Sequence, residues 1–176
     1  MEATHYIHPD LELIYGLVFK GCGLKFSNLS PEPESQEYAA CNFQLDGQHI
    51  IFRMAKITPK KTGQFVTVWK RNEHGITQPF NISDNFDYFI IAVKKENQFG
   101  LFIFPKKVLH NNKILSDNTI EGKRGMRVYP AWDLTTSNQA KKTQQWQTKY
   151  FIDISKNKII DPKKVTFLFE LNSQDH

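Results

Sequence analysis

The chain has 176 residues, 40% of them apolar and 13% aromatic, which excludes a disordered polymer and suits one domain with an ordinary core. Lys and Arg outnumber Asp and Glu by 23 to 18, giving a formal charge of +5. An excess this modest points to an anionic partner only where it is concentrated.

In "IHPDLELIYGLVFKGCG", Leu11, Ile14, Tyr15 and Val18 recur at helical spacing, with Pro9 in the first turn and Gly21 or Gly23 as the exit. "SNLSPEPESQ" reads as a polar loop. "YAACNFQLDGQHIIFRMAKI" predicts two strands joined at Asp46-Gly47, a tight hairpin signal. "TPKKTG" is a turn, and "QFVTVWKR" predicts a third strand. After the polar "NEHGITQPFNISDN", the unbroken apolar run "DYFIIAV" fits a buried strand. "KKENQFG" turns the chain into "LFIF", which Pro105 ends.

"PKKVLHNNKILS" predicts a short helix and loop, and "GKRGMRVYPAW" a strand between glycine and proline. Ser137 is placed to cap a helix through "NQAKKTQQWQ", and "KYFIDI" supplies a further strand. Asp161-Pro162 starts a last helix with Val165, Leu168 and Phe169 on one face. This order predicts an α+β or α/β fold, a single domain around one mixed sheet flanked by helices.

Cys22 and Cys41 match no metal spacing, and so sparse a pair suits a reducing cytosol. "MEATHYIHPD" lacks the basic and apolar parts of a signal peptide, and no apolar run is long enough to span a bilayer. The expectation is a cytoplasmic protein with no membrane association.

Three segments concentrate cations among aromatic residues. From Arg53 to Arg71 there are six basic residues (Arg53, Lys56, Lys60, Lys61, Lys70 and Arg71) and no acidic one. Strand alternation separates Gln64, Val66, Val68 and Lys70 from Phe65, Thr67, Trp69 and Arg71. The second segment sets Lys123, Arg124 and Arg127 beside glycines, with Tyr129 and Trp132 following. The third, "NQAKKTQQWQTKY", surrounds Trp146 with lysines and glutamines, too polar a helix to bury much. Cations interleaved with rings are what a nucleic-acid groove uses, charge for phosphates and rings for exposed bases. The competing reading of each segment is structural: solvating lysines on the hairpin, rings packed inside the second strand, and Trp146 as a packing anchor.

A metal-dependent phosphodiesterase needs carboxylates for Mg²⁺ and a lysine to steady developing charge. Glu37, Asp46, Asp87 and Lys56 are the candidates, although their spacing does not compel the assembly. There is no dinucleotide fingerprint, Walker loop, nucleophile elbow or zinc spacing, and the six histidines are scattered.

Together "EYAACNFQLDG", "FRMAKITPKKTGQFVTVWKR", "FDYFIIAV", "GLFIFPKKVL", "GKRGMRVYPAWD" and "QAKKTQQWQTKYF" resemble the MepB-like proteins, a bacterial cytosolic family named for a member of a multidrug-efflux operon. The resemblance is strongest over residues 34–152 and implies that the whole chain, 1–176, is one MepB-like domain. The succession of strands is also similar to the PD-(D/E)xK, or restriction-endonuclease-like, fold. That likeness puts Lys56 on the motif lysine and Met54 where a metal-binding glutamate belongs, so Glu37 or Asp46 would have to replace it.

The function expected is therefore nucleic-acid binding on a nuclease-like scaffold. DNA or RNA would be held by Arg53, Lys60, Lys70, Arg71, Lys123, Arg124 and Arg127. If the protein also cuts, Mg²⁺ would be the cofactor, with Lys56, Glu37 and Gln64 catalytic and Glu37, Asp46 and Asp87 as metal ligands. The alternative is a small-ligand-binding or regulatory protein associated with multidrug resistance.

Overall fold

The computed structural model describes residues 7–171. Its centre is a six-stranded mixed sheet built from β1 (Phe26–Pro31), β2 (Cys41–Leu45), β3 (Gln48–Met54), β8 (Tyr88–Lys95), β9 (Gln98–Pro105) and β11 (Phe151–Asp153), neighbours in that order. All pairs are antiparallel except β3 with β8. Tyr88 to Val93 are all buried, because both faces of β8 are covered, which is why this strand reads as an unbroken apolar run. Residues 88, 90 and 92 enter one core and 89, 91 and 93 the other.

The first core is closed by α1 (Pro9–Ile14), its π-helical continuation to Phe19, and α4 (Pro162–Glu170). Leu11, Ile14 and Val18 enter it as the periodicity requires, while Tyr15 stays exposed. Asp161 caps α4 by accepting from the Lys163 amide, and Val165, Leu168 and Phe169 are its buried face.

The second face is covered by what lies between the parallel strands β3 and β8. A parallel pair needs a crossover, usually a helix. Here residues 55–87 instead form β4 (Lys56–Ile57), β5 (Gln64–Thr67), β6 (Trp69–Arg71) and β7 (Thr77–Pro79). Strands β4 and β5 join β10 (Gly125–Val128) in a three-stranded sheet, and β6 pairs with β7. The predicted single strand "QFVTVWKR" is thus two. Pairing of β5 with β10 ends at Thr67–Gly125, and Val68, buried at the bend, donates its amide to the Arg124 carbonyl (2.9 Å). The expected loop "SNLSPEPESQ" is also partly strand, since β1 pairs with β2 from Phe26 to Pro31 despite its serines and proline. At the edge of the sheet such residues cost little.

Beyond β9, α2 (Lys106–Asn111) and α3 (Asn138–Gln147) complete the second layer. Ser137 caps α3 by accepting from the Ala140 amide (3.1 Å). The molecule is one domain with a mixed central sheet and flanking helices, and none of its described helices is long and apolar enough to cross a membrane.

Candidate functional site

Strand β10 has a free edge, and α3 covers it with a side chain. Buried Gln147 accepts from the Tyr129 amide through Oε1 (2.8 Å) and donates through Nε2 to the Arg127 carbonyl (2.9 Å). Its amide does for β10 what a neighbouring strand would do, satisfying two backbone groups that are costly to leave unpaired. Docking α3 this way opens a concavity of about 460 Å³ between helix and strand. Lys61, Lys123 and Arg127 bring charge to it, and Phe65, Tyr129 and Trp146 bring rings.

Among the described residues, no Asp or Glu lines this groove. Each of the three cation-rich sequence segments contributes to it, so residues separated by more than eighty positions meet at one place. Phe65 lies across Gly125 so closely that a Cβ there would stand 2.5 Å from the ring, and only glycine allows this approach. Trp146 packs one side on Phe104, with centroids 5.3 Å apart, and also lines the groove, so it is an anchor as well as a wall. Arg127 turns its guanidinium on the turn before β5, donating to Thr58 Oγ1 and to the carbonyls of Thr62 (3.3 Å) and Gly63 (3.4 Å). It therefore fixes the segment that carries Lys61. The segment carrying Lys123 is held by Asp117, which accepts from His110 Nε2 and from the amides of Thr119 and Ile120, each at 2.8 Å. These bonds hold the Asp117 carboxyl well below the usual carboxylate range, the one from His110 contributing most.

The remaining sequence-predicted cations do not join this groove. Arg53 is 0% exposed and belongs to the core. Its Nη2 donates to Glu32 (2.7 Å) and Trp69 O (3.3 Å), and its Nη1 to Thr67 O (2.8 Å), Thr67 Oγ1 (3.0 Å) and Ser35 Oγ (3.4 Å). Burial pulls its pKa down, and the Glu32 charge opposes the shift. Arg53 thus ties β3 to β5, β6 and the β1–β2 connection, and has no surface to offer a phosphate. Lys70 is paired with Asp84, Arg71 with Glu34, and Arg124 with Glu121. Lys61, Lys123 and Arg127, in contrast, have no carboxylate within ion-pairing distance among the described residues. Lys60 is exposed at a left-handed position of the turn (φ 64°) and lines a neighbouring hollow.

The carboxylates proposed for Mg²⁺ do not come together. Asp46 sits in the β2–β3 turn and accepts from the Lys25 amide (2.8 Å). Asp87 accepts from the His49 amide (2.7 Å) at the start of β8. Both lie at one end of β3, while Lys56 follows its other end, with Nζ 4.7 Å from the Tyr38 ring. Only Glu37, in the short turn Gln36–Tyr38, is on the Lys56 side. Gln64 is buried, donating to the Lys94 carbonyl (3.1 Å). No group of three His, Cys, Asp or Glu among the described residues is placed to share a metal. The residues at Lys56 therefore do not fit the Mg²⁺ site expected of them, and no chemical step is derived through it.

Gln147 is read from the sequence only as one of the polar residues that surround Trp146, not as the residue that organises the site. A signal was available: Gln147 stands seven residues after Ala140, the other buried residue of α3, and so on the same face.

The MepB-like family profile and the MepB structure agree with this architecture. The MepB-like family profile matches residues 32–153. The crystal structure of MepB superposes with a TM-score of 0.74 at 33% identity, covering 86% of this chain and 99% of that one. A bacterial homing endonuclease superposes more loosely, with a TM-score of 0.42 at 13% identity over 78% of this chain and 81% of its own. No curated protein matches the chain. The family profile covers well over half of the sequence and the MepB structure shares its fold over 86% of the chain, so the chain belongs to the MepB-like family.

Proposed function

We propose that the chain binds nucleic acid in the groove between β10 and α3, through phosphates on Lys61, Lys123 and Arg127 and bases against Phe65, Tyr129 and Trp146. One observation carries this reading. The cations that converge on the groove are free of carboxylates among the described residues, whereas Arg53, Lys70, Arg71 and Arg124 are each neutralised by one. An uncompensated cationic cleft concentrates potential and attracts polyanions. Rings beside it favour single strands, whose unstacked bases have free faces. The reading is of binding without hydrolysis, since it draws on no carboxylate.

Anisotropy titration of a labelled single-stranded oligonucleotide over a salt series tests this. Three phosphate contacts give a slope of about −2 in log K against log salt. Lys61→Glu and Lys123→Glu should each weaken binding and flatten the slope by about 0.7 per lost contact. No binding in dilute buffer, or binding that both variants leave unchanged, refutes the proposal. The size of the hollow, about 460 Å³, also falls in the range of small-ligand pockets and supports a second reading, a single nucleotide-like anion. Under that reading affinity does not rise with oligonucleotide length.

A further inference from the structure

A second concavity of about 510 Å³ lies across the Lys60–Gly63 turn from the groove, and Lys61 lines both. Its wall holds an unusual coincidence. Gln64 is 2% exposed, and its Nε2 donates to the Lys94 carbonyl, which settles which end of the amide is oxygen. The oxygen, Oε1, is buried with no hydrogen-bond partner, and so is the indole Nε1 of Trp132. Among the described residues only three buried side-chain polar atoms are in this condition, and the residues that carry these two line the same concavity. A buried polar atom left without a partner is costly. Here the residues that carry an unpaired acceptor and an unpaired donor both belong to the wall of one concavity.

Their surroundings indicate what would pair with them. Lys60 and Lys61, at the rim, have no carboxylate within ion-pairing distance among the described residues. Asp133, the acid in the lining, is paired with Lys95 (3.5 Å). Two apolar side chains, Ile57 and Leu134, stand 57% and 84% exposed beside the opening, surface for the flat face of a heterocycle.

We infer that this concavity is a base-reading subsite, in which a nucleobase edge donates to Gln64 Oε1 and accepts from Trp132 Nε1 while Lys60 and Lys61 hold the adjoining phosphate. The inference rests on the nucleic-acid reading of the groove and extends it: the strand passes over the Lys61 turn, with bases on both sides. Every natural base presents a donor beside an acceptor on its pairing edge, so the subsite distinguishes a base from no base more sharply than one base from another. Both atoms are closed off from solvent, so a base edge reaches them only as side chains in the wall of the concavity rearrange.

The test compares a ten-nucleotide single strand with inorganic polyphosphate, which carries the charge without bases, as ligands of the parent and of Trp132→Phe. Phenylalanine keeps a ring against Phe151 and removes the donor together with part of the ring volume. The expected result is about tenfold weaker binding of the oligonucleotide by Trp132→Phe, the loss of one hydrogen bond, with polyphosphate binding unchanged. Gln64→Leu should show the same selective loss, with a thermal melt confirming that each variant is folded. Unchanged oligonucleotide affinity in a folded Trp132→Phe overturns the subsite, with a buried water left as the partner of these atoms. Equal affinity of the parent for polyphosphate and oligonucleotide also overturns it, yet leaves the cationic groove standing. Binding of neither ligand by the parent overturns the groove and the subsite together.

Discussion

Replacing Glu32 by alanine should be among the most damaging changes to this protein, although Glu32 lies near the surface and outside the groove. Arg53 is 0% exposed, and Glu32 is the carboxylate that balances its charge. Its other acceptors are neutral: Thr67 O and Oγ1, Ser35 Oγ and Trp69 O. Removing one partner of a buried pair costs about 3–5 kcal/mol, because the remaining charge is stranded in a low dielectric. Glu32 is 16% exposed, so water can reach the vacated position and the lower end, about 3 kcal/mol, is expected. For a chain of this length that corresponds to a fall in Tm of about 6–12 °C. Urea unfolding followed by circular dichroism should show a lower midpoint with an unchanged slope, since the surface exposed on unfolding is the same. The double variant Glu32→Leu with Arg53→Met should regain most of the loss, because no charge is left to solvate. A loss below about 1 kcal/mol for Glu32→Ala would refute the reasoning, since it would mean that water already serves the guanidinium.

Gln147→Leu should cost about 2–4 kcal/mol, since it strands the Arg127 carbonyl and the Tyr129 amide, and chemical denaturation measures it. Lys70→Glu should leave oligonucleotide affinity within about twofold of the parent, because Lys70 is already paired with Asp84; its contrast with Lys61→Glu in the same titration separates local from global charge. Burial pushes the Cys41 thiol from 9.0 up to about 12, with the Glu32 charge adding to the shift. Above pH 9 the unfolded chain therefore sheds a proton that the folded chain keeps, so this contribution to stability is complete below pH 9 and is lost as pH rises toward 12. Cys41→Ala should flatten the fall of stability with pH across that interval by up to about 1.4 kcal/mol per pH unit.

Elements with a strong local signal were legible in the sequence. The Asp46-Gly47 hairpin, the buried run of β8, the Ser137 cap of α3 and the Asp161-Pro162 start of α4 all stand where their residues put them. Each rests on short-range chemistry: a turn needing positive φ, an oxygen capping free amides, or a strand with no polar face. The strand at "FSNLSP" was not legible, because an edge strand is specified by its neighbour more than by its own residues. The break at Val68 was hidden too, since "QFVTVWKR" alternates without interruption while its two halves pair with different partners.

What the sequence by itself determined about this protein is its class, the places where its chain turns, and the sign of the charge in three segments, all consequences of neighbours along the chain. Which of those charges are available was decided only by the tertiary structure. Arg53 and Lys61 look alike in one basic run, but one is enclosed and matched to Glu32, a partner from the β1–β2 connection, while the other is left at the mouth of a groove walled by Gly125 and Trp146. A cation's role depends on its distance to the nearest carboxylate and on the water around it, and both are set by packing between residues far apart in the chain.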